Sequence, residues 1–388
     1  MIYGAEISNH CIESSEVIPL NLRSTIRCSL AALCMTMLIL DTRTGVSGAA
    51  AGIDICLKTL IPSLFPFFFM SILLTDALLG WPLRLFRPLA KLCRIPNGAV
   101  SLLAIGFLGG YPVGAQNVAI ASENGVLSSK DAERMVVFCN NAGPAFIFGF
   151  LGQVFQNPIC PWLLWFTHVI SALIVGFLIP GGNIRIKSDF PPSEISVPDA
   201  LAKSIHVMAQ VCGWVILFRI LLEFLKRWLF SLLPGMGQVL ITGFLELVNG
   251  CLLLQDLPSD GLKFILSALM LGFGGLCVFL QTKSISGALL LRFYLPGKIL
   301  HGCIGFLISY GLQFVLLGET RCIISSSYIL SVLILTGLAV AVLRNAQKPV
   351  AFLRKCDIMK NHAKKRRNLC YSGRKSKNPA STVPVAPN

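Results

Sequence analysis

The sequence predicts an all-α fold, a polytopic transmembrane helical bundle, from three observations. Of the 388 residues, 54% are hydrophobic and only 13% are charged. The mean hydropathy is +0.73, and the apolar residues gather into runs of helix-spanning length. A soluble domain carries about 25% charged residues, so half of that leaves too little polar surface to coat a water-soluble globule. A bilayer is the natural solvent, and helices of about 20 apolar residues are its unit.

The chain opens with "MIYGAEISNHCIESSEVIPLNLR", which has acids and no basic n-region. It does not read as a secretory signal, and residues 1-24 are expected to be a short disordered cytoplasmic extension. Ten apolar elements follow, at 27-42, 58-80, 98-121, 133-153, 162-180, 202-225, 238-254, 262-280, 296-317 and 323-343. They divide into a first membrane half (25-180), a polar linker (181-200) and a second membrane half (201-343).

The formal charge of +15 is concentrated at the end of the chain. From Arg344 to Asn388 there are twelve Lys/Arg and one acid, Asp357, a surplus of 11. Directly after a membrane helix, a run such as "KNHAKKRRN" (360-368) reads as a cytoplasmic retention signal facing anionic lipid rather than as a nucleic-acid site. Other bases cluster in the 81-98 connection, at Lys226 and Arg227, and at Lys283, Arg292 and Lys298, whereas the 255-261 connection holds Asp256 and Asp260 and no base. With positives inside, both termini are expected in the cytoplasm.

Fourteen cysteines form no CxxC, and Cys28, Cys34, Cys139, Cys212, Cys251, Cys277 and Cys303 sit in apolar runs. There they read as small packing residues, with no disulfide framework implied. No metal-ligand spacing, nucleophile-base pair, Walker loop or dinucleotide fingerprint is present. The expectation is a protein with no cofactor or metal that is not an enzyme.

A repeat emerges from self-comparison. "GFL" at 106-108 precedes "FCNNAGPAFIFG" from 138, and "GFL" at 243-245 precedes "FGGLCVFLQ" from 273, at lags of 32 and 30 residues. Four full crossings between the two units would make them parallel. If 98-121 and 238-254 are re-entrant, three crossings separate the units, which become inverted repeats, and eight crossings remain in all. Inverted repeats with interrupted helices at mid-membrane are the build of many secondary transporters.

The interruptions supply the candidate site. In "FLGGYPVGAQN" Gly110 and Gly114 loosen the backbone, Pro112 removes a donor, and Tyr111 and Gln116 add polar groups. Freed amides cost several kcal/mol each in hydrocarbon, roughly, unless protein or a watery cavity receives them. Helix N-termini exposed at such a break can bind an anionic group; the alternative is glycine-mediated packing with a proline kink. Asn140 and Asn141, followed by the Gly143-Pro144 break, read as solute-lining or as amides bonded to a neighbouring helix. Glu246 is an ionisable residue inside a membrane segment, with Asn249 three residues on, and could serve a cation, a proton, a substrate or a structural base. Gly274, Gly275 and Gln281 form the second unit's flexible counterpart. Arg219 and Glu223, at i and i+4, read as an internal pair. Asp54 and Asp76 read as interfacial, and His206 and His301 as isolated packing or interface residues.

Five motifs in order, "LIPSLFPFFFMSILL" (60-74), "FLGGYPVGAQ", "CNNAGPAFIFGFLG" (139-152), "GFLELVNG" (243-250) and "FGGLCVFLQ", resemble the sporulation integral membrane protein YlbJ family, also called stage V sporulation protein SpoVV. The resemblance covers residues 25-320; the first 22 residues, the 323-343 run and the basic tail stand outside it. It implies a Gate, or nucleoside-recognition, domain related to concentrative nucleoside transporters, in an inner-membrane protein of the mother cell membrane around the forespore. It also implies movement of dipicolinate, a small aromatic dianion, with Gly110, Tyr111, Pro112, Gly114, Asn141, Gly143, Pro144, Glu246, Gly250, Gly274, Gly275 and Gln281 carried over as site residues. Tyr111 or Phe146 would suit the flat ring. The expected partners are therefore a small anionic substrate and anionic lipid at the tail, with a coupling proton or sodium ion and a homo-oligomer left open. The alternatives are a nucleoside or other small-anion carrier, or a non-transporting scaffold for sporulation.

Overall fold

The computed structural model describes residues 22-78, 84-95, 99-179, 181, 195-316 and 326-345. Nearly all of the expected N-terminal extension, most of the polar linker and the basic tail lie outside the described residues. Among the described residues there is no strand, and the all-α, polytopic membrane bundle is what the chain forms.

Helix α1 (Leu22–Leu40) is followed by α2 (Thr42–Ile55), which runs through a π-helical turn, Cys56–Leu60, into α3 (Ile61–Leu78). The short α4 (Arg87–Leu92) leads to α5 (Val100–Gly109), α6 (Val113–Glu123) and α7 (Ser129–Cys139). A π-helical segment, Ala145–Phe150, and a 3-10 turn, Leu151–Val154, continue the path of α7 after a break. Then come α8 (Cys160–Leu178), α9 (Val197–Trp228), α10 (Gly235–Leu245), α11 (Leu247–Leu252), α12 (Asp260–Phe273), α13 (Gly275–Ile285), α14 (Tyr294–Leu316) and α15 (Ser326–Asn345). Five stretches are long and apolar enough to cross a membrane: Thr42–Leu78, Cys160–Leu178, Val197–Trp228, Asp260–Ile285 and Tyr294–Phe314. Their outward faces carry exposed apolar side chains such as Phe67, Met70, Trp162, Phe166, Leu201 and Leu217. Such a belt is costly in water and neutral in lipid.

Local sequence explains the starts. Ser128 and Ser196 each accept from the amide of an Asp three residues on, Asp131 at 3.1 Å and Asp199 at 3.2 Å, and donate to its carboxylate at 2.6 Å. This is the capping-box arrangement, and it opens α7 and α9. Ser259 caps α12 through the Leu262 amide at 3.2 Å. Asp260 then accepts from the amides of Gln156 and Asn157, and Lys263 donates to the Val154 carbonyl at 3.1 Å, which locks the end of the first unit to the second.

The stretch 43-57, which the apolar runs at 27-42 and 58-80 leave between them as a connection, is instead helix. Its small residues are a packing face. A Cβ on Gly48 would stand 2.7 Å from the Ile220 Cα, and one on Gly52 2.9 Å from the Ile216 Cα. Helix α2 thus lies backbone to backbone on α9, the small-xxx-small arrangement of membrane helices.

The segments 98-121 and 238-254 are both helical hairpins. A Cβ on Gly106 in α5 and one on Gly114 in α6 would each strike the same Cys139 carbonyl, so the chain has reversed between them. In the second unit a Cβ on Gly250 in α11 would strike the Gly243 Cα in α10. The shared "GFL" marks the same place in both, the strand of helix entering the hairpin tip. Between the hairpins lie α7 with its π continuation, α8 and α9, of which α8 and α9 are long and apolar enough to cross a membrane.

Candidate solute site

Each unit has a hairpin tip and a broken helix, and the four interruptions meet. At the first tip Gly110 adopts φ +75°, and a Cβ there would lie 3.1 Å from the Gly143 amide nitrogen of the first break. Tyr111, preceding a cis Pro112, sends its hydroxyl 2.6 Å to the Leu271 carbonyl, near the end of α12. The second break is Gly274-Gly275, both at φ +83°, a backbone conformation that side-chain-bearing residues resist. A Cβ on Gly275 would stand 3.3 Å from the Gly243 carbonyl and from the Leu247 amide, which joins this break to the second hairpin.

A cleft opens at this meeting point. Its lining includes Gly110, Tyr111, Gly143, Phe146, Glu246 and Gln281, backed by apolar side chains of α3 and α9. Five of the fourteen site residues expected from sequence therefore line it: Gly110, Tyr111, Gly143, Glu246 and Gln281. The other nine stand around it. Pro112 is the buried N-cap of α6, Gly114 packs on Cys139, and Pro144 starts the π-helical segment. Gly274 and Gly275 contribute the break itself. Gln116 is half-buried, and its carbonyl oxygen has no hydrogen-bond partner among the described residues.

The three asparagines are structural connectors in this arrangement. Asn140 donates to Thr282 Oγ1 at 2.9 Å and Tyr294 Oη at 3.0 Å, and its side-chain oxygen accepts from the Ala115 amide. Asn141 donates to the Phe138 carbonyl at 2.6 Å and accepts from Lys298 Nζ at 3.2 Å. Asn249 donates to Glu246 at 2.6 Å and accepts from Arg219. Fully buried amides bonded on every side hold helices together.

Glu246 forms the second hairpin's tip. It is the N-cap of α11, and its carboxylate accepts from the amides of Val248 (3.0 Å) and Asn249 (2.7 Å) as well as from the Asn249 side chain. The carboxylate therefore occupies the positive end of a helix that the sequence would have offered to an anion. Arg219 pairs with Glu223 at 2.6 Å as its i, i+4 spacing suggests, and also reaches Asn249, so α9 braces the tip. By contrast α13, which begins at the second break, has no side-chain cap, whereas in the first turn of α6 the Ala115 amide is taken by the Asn140 side-chain oxygen.

Two readings of the sequence need correction. Lys298, counted there with Lys283 and Arg292 as a positive cluster marking the cytoplasmic side, is fully buried in α14. Its Nζ donates to the Asn140 carbonyl and to Asn141, and lies 5.2 Å from the Tyr111 ring centroid and 5.8 Å from that of Tyr294. His301, taken as isolated, stacks on His168 with ring centroids 4.6 Å apart. The Ala142 amide at the first break donates to His168 Nε2 at 3.0 Å. A signal was present in "PGKILHG" (296-302): Lys and His three apart, on one helix face, inside an apolar run.

With the hairpins and breaks located, the chain can be compared with a curated relative. The chain is 26% identical over 298 residues to the sporulation integral membrane protein YlbJ of Bacillus subtilis (strain 168), an alignment covering 65% of this chain and 73% of the relative. The chain is similar to that sporulation integral membrane protein. No family model matches it, and no solved structure matches it. The duplicated hairpin-and-break unit is thus read from the chain's own glycine contacts.

Proposed function

We propose that this chain is a carrier moving a small anionic solute across the membrane, and that the solute is dipicolinate. The observation that supports the reading is the convergence of two hairpin tips and two broken helices on one cleft. Non-helical backbone at membrane depth is tolerated where it is buried in protein or lines a cavity, and here it does the latter at Gly110 and Gly143. The uncapped N-terminus of α13 presents amides at the second break, and Lys298 stands directly behind Tyr111. Tyr111 and Phe146 offer flat apolar faces for an aromatic ring. The relative's name places that protein in sporulation. By the same reading this chain works in the mother cell membrane around the forespore, with both termini cytoplasmic and the basic tail on anionic lipid.

The test is uptake of labelled dipicolinate, with uridine in parallel, into liposomes containing the purified protein. Gln281→Leu and Phe146→Leu change cleft-facing groups while leaving the asparagine connectors intact. Saturable dipicolinate uptake that both substitutions weaken is the expected result. Preference for uridine would reassign the solute to a nucleoside. No uptake of either solute under proton and sodium gradients would sink the carrier reading and favour a scaffold.

A further inference from the structure

Lys298 is a buried cation without an acid. Among the described residues no carboxylate lies within ion-pair distance of it, although the other buried lysine, Lys263, has Asp260 at 3.8 Å. An ammonium taken out of water without a counter-ion is among the costliest groups a fold can hold. What surrounds it is neutral: the Asn140 carbonyl, the Asn141 amide oxygen, and the faces of Tyr111 and Tyr294. The titratable groups that face it are those two tyrosines from the first hairpin and α14, Cys139 from α7, His168 from α8 and His301 from α14.

The histidine pair is incomplete in a particular way. His301 Nε2 lies 3.1 Å from the His168 carbonyl, which can only accept, so this nitrogen carries hydrogen and Nδ1 of the neutral ring holds a lone pair. His168 Nε2 accepts from the Ala142 amide, so its hydrogen sits on Nδ1. Neither Nδ1 has a partner among the described residues. His301 Nδ1 is thus an unoccupied buried base, on the helix face that carries Lys298 one turn earlier. Two basic groups side by side without an acid hold one proton between them more readily than two.

We propose that Lys298 and His301 form a proton-binding site that couples proton movement to the first hairpin. When the proton is on Lys298, its charge holds the Tyr111 face and the Asn140-Asn141 break together, and the tip is fixed. When the proton leaves Nζ for His301 and then for solution, a neutral amine remains, the cation–π attraction ends and the tip is released. No other bond forms or breaks. The coupling of this event to solute movement rests on the carrier reading, whereas the proton-dependent hold on the tip does not.

Two measurements on the whole protein separate them. Hydrogen–deuterium exchange of residues 107-114, corrected for the pH dependence of intrinsic exchange, is expected to rise with pH in the wild type and to lose that dependence in Lys298→Met, with His301→Gln shifting its midpoint. A wild-type profile flat with pH, or one unchanged in Lys298→Met, overturns the proposal regardless of transport. In dipicolinate-loaded liposomes, Lys298→Met should keep solute exchange but lose proton-driven uphill accumulation about ten-fold, within the usual range of conformational coupling. Exchange and accumulation both intact in Lys298→Met overturns the coupling. Absence of both in the wild type, with pH-dependent tip exchange retained, strikes the carrier reading and leaves the proton site supported.

Discussion

The Tyr111 hydroxyl donates to the Leu271 carbonyl across 2.6 Å, a bond between residues 160 positions apart that ties the first hairpin's tip to the second unit's broken helix. The carbonyl belongs to the last turn of α12, where helix geometry leaves oxygens without an intrahelical partner. Tyr111→Phe keeps the ring over Lys298 and removes only this bond. The expected loss is about 1 kcal/mol, or more if the carbonyl stays dry and unpaired. A thermal-unfolding scan in detergent should show a lower midpoint for Tyr111→Phe, and an unchanged midpoint would mean that the tip is held by other contacts.

Glu246 separates charge from architecture. Glu246→Ala removes the cap of α11 and strands the Asn249 side chain, which together should cost about 2 to 4 kcal/mol. Glu246→Gln retains an acceptor for the helix amides and loses the negative charge beside the cleft. It should fold, and a dianionic solute should bind it about ten-fold more tightly, about 1.4 kcal/mol. Equilibrium binding of dipicolinate to both proteins checks this; weaker binding by Glu246→Gln would argue that the carboxylate itself contacts the solute.

Glycine at 114 is demanded by a neighbour's backbone, because the Cβ of any other residue would run into the Cys139 carbonyl. Gly114→Ala must push the hairpin off α7, at a cost of about 1 to 3 kcal/mol or more. Gly213 in α9 is the control, since a Cβ there meets nothing within 4 Å. Gly213→Ala should stabilise by about 1 kcal/mol through helix propensity. Comparing folded yield of the two alanine variants after membrane extraction gives the answer, and equal yields would contradict the close approach.

Arg134 is buried in the middle of α7 and donates to the Cys93 carbonyl at 2.7 Å and the Arg94 carbonyl at 2.9 Å. Two charge-assisted bonds seal the end of α4 and the turn that follows, at Arg94 with φ +52°. Arg134→Met fills the volume without the donors and should destabilise the protein by about 2 to 4 kcal/mol. Protease nicking within 84-95 should become faster; resistance equal to wild type would show that the turn holds without the guanidinium.

The sequence on its own determined the solvent and most of the plan. Apolar runs of spanning length, little charge and a repeated "GFL" before a glycine-rich break follow from local composition and order, and the hairpins and breaks appear where those signals stand. Tertiary structure decided what each polar group does. Asn140, Asn141 and Asn249 look alike in sequence as candidate ligands, yet their amides are saturated by groups up to 157 residues away, a pairing that no local pattern encodes. Lys298 and His301 looked like a topology-marking base and an isolated histidine because their partners lie on α7, the first hairpin and α8. Even the 43-57 stretch, poor in bulky apolar residues, became helix because α9 accepts its glycines backbone to backbone. Burial and hydrogen-bond satisfaction are properties of the assembled helices, so the fold class was legible along the chain and the chemistry of the site only across it.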